Sequence, residues 1–201
     1  MTKAIIFDLG RVLVHYNHQA TLSAVADRCD VPTAQVVALM NELSTPLGVG
    51  ALSAEEFYQR LTDELGFRED FPTFIDLYAA GIQRDEDALA YALALQQRSD
   101  TTVAIMSNTN AAHVQWLDQH VPELLQFDLV MMSNEVALLK PDAAIFELAM
   151  ELLSVLPAQC IFIDDSEPNV IAAQALGIQG IVHHDWAVTR PTLEAWLQRV
   201  S

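Results

Sequence analysis

Basic residues are scarce in this chain. Ten Lys and Arg stand against 27 Asp and Glu in 201 residues, a formal net charge of −17. No basic run offsets that charge locally, so electrostatics opposes a polyanion and no nucleic-acid partner is expected. A small anion responds instead to the charges of its own pocket, where a bound divalent cation can reverse the local sign. Cysteine is equally sparse. Cys29 lies in a helical pattern and Cys160 opens an apolar strand pattern, a placement that makes neither a disulfide framework nor a metal knuckle, and both thiols are expected to be buried. No apolar window approaches the length of a membrane-spanning helix, and Lys3 runs directly into a strand pattern. The expectation is a cytoplasmic protein with no membrane partner. Charged residues make up only 18% of the chain and hydrophobic ones 52%, enough to build a substantial core and to exclude disorder.

Five short apolar runs read as buried strands: Ala4 to Phe7, Val103 to Met106, Leu129 to Met132, Cys160 to Ile163 and Gly180 to Val182. Helical spacing fills most of the gaps, over Glu86 to Arg98, Ala111 to Gln119, Ala143 to Leu153 and Val170 to Leu176, with Gly177 placed to end the last. Strands alternating with helices predict an α/β fold, a Rossmann-like parallel sheet flanked by helices. One interval breaks the alternation. Residues 16–84 carry helical spacing throughout, over Ala20 to Arg28, Thr33 to Leu43, Ser53 to Leu65 and Phe71 to Ala79, and Ser53 with Glu56 forms a capping-box signature. This predicts a small helical cap inserted after the first strand, with residues 1–15 and 85–201 forming the α/β core.

Four segments carry candidate chemistry, three of them at strand ends. Asp8 ends the first strand, where ligands bind in parallel sheets, although an Asp beside Gly10 also suits a turn. Ser107, Asn108 and Thr109 end the second, just before a helix, and either hold an anion or cap that helix. Lys140 precedes Pro141 near the start of another helix, where a cation is unfavourable for the dipole, and an ammonium group there suits a bound phosphoryl group. The alternative is a solvated surface lysine. Asp164 and Asp165 end a strongly apolar strand, and adjacent carboxylates in that position call for a hard divalent cation. His183, His184 and Asp185 read as a solvated loop. His15, Tyr16 and Asn17 read as a hinge or a substrate-facing segment. Trp116, Trp186 and Trp196 are expected to pack helices or loops.

In this order the four segments resemble the motifs of the haloacid dehalogenase-like hydrolases, most of which are phosphatases. The resemblance spans nearly the whole chain, and its details are similar to a helical-cap bacterial branch that includes glucose-1-phosphate phosphatases. It implies a nucleophile at Asp8, a group-binding hydroxyl at Ser107, a catalytic lysine at Lys140, and substrate binding by Ser107, Asn108 and Lys140. It implies Mg²⁺ held by Asp8, the Gly10 carbonyl and Asp165, with Asp164 and Asn169 in support. It also implies a small phosphorylated substrate. Gly10 departs from the pattern: many family phosphatases carry a second Asp there to protonate the leaving oxygen. A dehalogenase acting on a 2-haloacid shares the nucleophile and needs no such acid, but paired carboxylates without a cation repel an anionic substrate. A catalytically weak binding module on the same fold is the other alternative.

Overall fold

The computed structural model describes residues 3–199. The terminal residues 1–2 and 200–201, assigned above to the core, lie outside that range. The strands are β1 (Lys3–Phe7), β2 (Val14–Tyr16), β3 (Ile82–Arg84), β4 (Thr101–Ser107), β5 (Leu129–Met132), β6 (Cys160–Asp164) and β7 (Gln179–Val182). Five of them form one sheet in the order β5-β4-β1-β6-β7, and every pairing in it is parallel. The α/β architecture expected from the alternating pattern is the one observed.

Both faces of this sheet are buried, which is why its strands are apolar without alternation. Ile5 and Phe7 of β1 face one side with Val103, Ile105, Ile161 and Ile163, while Ala4 and Ile6 face the other with Ala104, Met106 and Phe162. Helices α5 (Glu86–Gln96), α6 (Ala111–His120) and α10 (Trp186–Gln198) cover the first side. Helices α8 (Ala143–Leu153) and α9 (Glu167–Ala175) cover the second, and a single turn, α7 (Ser133–Val136), follows β5. Cys29 and Cys160 are buried free thiols. Gly177 has φ +87 just after α9 and donates its N–H to the Gln174 carbonyl at 2.9 Å, the left-handed exit its position suggested.

Between β2 and β3 lie α1 (His18–Ala26), α2 (Thr33–Gly48), α3 (Ala54–Leu65) and α4 (Phe71–Tyr78). Their inward residues, among them Val25, Leu43, Phe57, Leu61 and Phe74, form a cluster of their own, joined from α6 by Ala112. The capping box at Ser53 and Glu56 is present in both directions. This interval is not helical throughout, as the sequence suggested. Val14, His15 and Tyr16 pair antiparallel with Arg84, Gln83 and Ile82, a ribbon too short to impose a readable alternation. The two ends of the insertion therefore meet: the Asn17 N–H donates to the Gly81 carbonyl at 2.9 Å. Gly81 is required there, because a Cβ would come within 2.2 Å of the Asn17 carbonyl oxygen.

Candidate active site

The chain leaves β1, passes to β4 and β5 on one side, and then crosses to β6 on the other, so the carboxyl end of β1 is a topological switch point. Phe7 lies level with Ile105 and Ile163 in the two flanking strands. Asp8, Ser107 and Asp164 consequently emerge beside one another at the same end of the sheet. They are joined by Lys140, from the loop between α7 and α8.

Lys140 is not a surface lysine. Its side chain is 1% exposed, and its ammonium group donates to Asp8 Oδ1 at 2.6 Å, Asp164 Oδ2 at 2.7 Å and the Met106 carbonyl at 2.8 Å. Three donors meet three acceptors, which satisfies the buried cation fully. The helix-dipole argument for Lys140 does not hold. α8 begins at Ala143 under an Asp142 cap, and the ammonium turns inward toward the sheet. Asn108 fixes the lysine's backbone from both sides, its amide oxygen accepting from Lys140 N at 2.8 Å and its amide nitrogen donating to Lys140 O at 2.8 Å. The Asn108 side chain is thus committed to positioning Lys140, which leaves its backbone to meet a ligand.

Asp164 is likewise saturated. It accepts from Lys140, from the Ser166 backbone at 2.8 Å and from Asn169 Nδ2 at 3.1 Å on each oxygen. Asp165 points elsewhere and meets Arg11 at 3.3 Å, with a quarter of its side chain exposed. Asp8, Asp164 and Asp165 each offer an oxygen within 4.8 Å of the others. Burial, reinforced by the neighbouring Asp164 charge, pushes the Asp8 carboxyl up from its ordinary 3.8 to about 6 against the opposing pull of Lys140. Three carboxylates against Lys140 and the half-exposed Arg11 leave surplus negative charge lined with hard oxygen donors, which fits a divalent cation. Gly10 lies in the wall of the same cavity, and a Cβ there would meet only Tyr16 Cβ, at 3.9 Å. A side chain at position 10 therefore has room.

These residues form the floor of a cavity of about 560 Å³. Ser107, Asn108, Lys140, Asp165 and Asn169 line it with Asp8, while Asp164 is fully buried beneath. The insertion contributes the roof through α2 and Tyr78. Two participants carry no recognisable sequence signal. His113, in the first turn of α6, stacks on Tyr78 with ring centres 4.7 Å apart, and burial pulls its imidazole down to about 4 and so keeps it neutral. Ser133 is completely buried and donates to the Gly48 carbonyl at the end of α2 at 2.7 Å, tying the roof to the core. The cluster after β7 is structural. His183 Nδ1 meets Thr189 Oγ1 at 2.9 Å, and Asp185 caps α10. Trp186 donates to the Val12 carbonyl, Trp196 is buried and Trp116 stacks on His120.

Asp164→Leu should lower stability by about 3–5 kcal/mol, because leucine offers no acceptor to the buried Lys140 ammonium, the Ser166 N–H or Asn169 Nδ2. Chemical unfolding followed by circular dichroism measures this directly, and a change within ±0.5 kcal/mol would contradict the role of Asp164 as an anchor.

A family model described as haloacid dehalogenase-like hydrolase matches residues 2–177. Among curated relatives, sesquiterpene phosphatase astK of Aspergillus oryzae is 26% identical over 89% of this chain and 88% of its own length. D-ribitol-5-phosphate phosphatase of Bacteroides thetaiotaomicron is 26% identical over 89% and 90% respectively. Drimenol cyclase drtB of Aspergillus calidoustus is also 26% identical, but the chain spans about a third of it, 34% of its length. A HAD family enzyme of known structure from Bacteroides thetaiotaomicron superposes with a TM-score of 0.83 at 22% identity, covering 94% of this chain and 98% of that one, a likeness of fold.

Proposed function

The chain belongs to the haloacid dehalogenase-like hydrolases, and from that premise we propose that it is a Mg²⁺-dependent phosphatase acting on a small phosphate monoester, a sugar phosphate among the candidates. The observation that carries this reading is a single cavity in which Asp8, at the switch point, is gripped by a buried lysine beside two further carboxylates. The phosphatase relatives point to the same chemistry, and the structural neighbour from Bacteroides thetaiotaomicron is described as a magnesium complex. A cytoplasmic location belongs to the same proposal; no helix among the described residues is long and apolar enough to cross a membrane.

In this mechanism Asp8 attacks phosphorus. A bond forms between its carboxylate oxygen and phosphorus as the bond to the leaving oxygen breaks, and water then hydrolyses the aspartyl-phosphate. Lys140 positions Asp8 and, with Ser107 and the backbone at Asn108, stabilises charge on the equatorial oxygens. Mg²⁺ bound by Asp8, Asp165 and the Gly10 carbonyl would screen the repulsion between carboxylate and phosphoryl oxygens. Asp164 and Asn169 hold that arrangement in place. The insertion acts as a cap that keeps bulk water from the floor, with residues 16–84 as the moving part and 1–15 with 85–201 as the fixed one.

The test is a hydrolysis screen over sugar phosphates, acyl phosphates, nucleotides and 2-haloacids, with Mg²⁺ and with chelator. Turnover of phosphate monoesters that disappears in chelator and returns with Mg²⁺ is expected. Turnover of 2-haloacids alone, or undiminished activity in chelator, would refute the reading. A second expectation follows from Gly10, which supplies no proton to the leaving oxygen. Across monoesters of similar size, rates limited by chemistry should fall steeply as the leaving group becomes more basic, with poor leaving groups slower by on the order of a hundredfold. Gly10→Asp, for which the cavity has room, should flatten that slope. A flat dependence in the unmodified protein would mean that another group delivers the proton.

A further inference from the structure

The floor of the cavity is charged and its upper part is not. All ten Lys and Arg of the sequence fall within the described residues, and only Arg11 and Lys140 line the cavity. Lys140 lies between Asp8 and Asp164, and Arg11 lies on Asp165, so both cations of the lining are paired with carboxylates of the floor. Other cations are engaged on the outside, as in the Arg28–Glu69, Arg60–Glu64, Arg84–Glu123 and Arg98–Asp100 pairs. The roof is built chiefly by one face of α2. Residues 40, 41, 44, 47 and 48 recur at helical spacing and present Met40 and Leu47 beside Asn41 and Ser44. Tyr78, Ile82, Leu117 and Leu139 complete an apolar wall, and the two imidazoles nearby are His18 and the neutral His113.

On the phosphatase reading above, we infer that the substrate carries one anionic group only, the transferring phosphoryl, on an uncharged leaving group with an apolar face and hydroxyls for Asn41 and Ser44. A second phosphate or a carboxylate on the leaving group would meet the roof, where Met40, Asn41, Ser44, Leu47 and Tyr78 offer no Lys or Arg, and would lose its hydration without a countercharge. Bisphosphates, nucleotides and phosphorylated carboxylic acids are thereby selected against, by absence of countercharge rather than by size. An uncharged alcohol finds dispersion contacts on the wall and hydrogen-bonding partners on the α2 strip.

The experiment uses a pair of similar leaving-group basicity, 4-methylphenyl phosphate and 4-(carboxymethyl)phenyl phosphate, with Mg²⁺ at neutral pH, and compares kcat/KM. The unmodified protein should prefer the uncharged member by at least about tenfold. Ser44→Arg, which places a cation on the exposed roof strip, should erase most of that preference, whereas Ser44→Gln, of comparable polarity but no charge, should preserve it. Equal or faster turnover of the carboxylated member by the unmodified protein would overturn the inference while leaving the phosphatase reading intact. So would loss of preference in Ser44→Gln as large as in Ser44→Arg. Failure to hydrolyse either member, or any other phosphate monoester, would overturn both.

Discussion

Asp8→Asn is expected to lower turnover by at least about 10⁴-fold, because the amide keeps the shape of the side chain but removes the attacking oxygen. The same substitution should leave the fold intact, and the sign of its effect on stability is informative. Asp8 is raised in the folded state, to about 6, so its contribution favours folding fully below the unfolded-state value and is lost as pH rises through 6. At neutral pH in chelator, the buried carboxylate is therefore a cost that the amide does not carry. Asp8→Asn should unfold at the same or a higher denaturant concentration than the unmodified chain, even though it is inactive. A dead variant that is also markedly less stable would reassign Asp8 to a structural role, and a variant within tenfold of normal turnover would remove it as the nucleophile.

Lys140→Met should be damaging in both respects. Turnover should fall by about 10³-fold as the positive charge beneath the phosphoryl group and the clamp on Asp8 are lost together. Stability should fall by about 3–5 kcal/mol, since Asp8 and Asp164 are left facing each other with no cation between them. The two effects separate in a double variant. Adding Asp164→Asn removes one of the stranded charges and should recover part of the stability, but it returns no lysine to the site and should recover no activity. Activity restored along with stability would mean that Lys140 serves only the fold.

Where the sequence was legible, the reason is local. At Asp8, Ser107 and Asp164 an apolar run turns abruptly polar, and in a sheet covered on both faces that change marks the strand end where ligands gather. The inward course of Lys140 is a different case. Its acceptors on Asp8, Met106 and Asp164 lie 132, 34 and 24 residues away in sequence, and no local pattern encodes a contact of that range. Asn108 was legible as a polar group beside a bound anion, but its side chain is spent on the lysine's backbone, a partner that only the folded loops bring near. His113 and Ser133 carry no local signal because their importance comes from Tyr78 and Gly48, which the insertion carries to them. The face of α2 that forms the roof was hidden for the same reason: helical spacing shows which residues share a face but not what that face covers. In α10 the helical spacing of Leu193, Trp196 and Leu197 is interrupted upstream by Pro191, a residue that by itself argues against a continuous helix.

The paired strands at the root of the insertion bear on how this scaffold can change over generations. Because β2 and β3 clasp each other and the Asn17–Gly81 bond closes the junction, the core encounters the insertion as one hairpin-like socket, whatever is threaded between its two ends. Doubling the length of chain closed by such a socket costs only about 0.6 kcal/mol in closure entropy. Helices above the socket can accordingly be lengthened, trimmed or exchanged with little penalty transmitted below it. Variation in what is recognised and constancy in what is done to it can then be inherited separately, on either side of two three-residue strands.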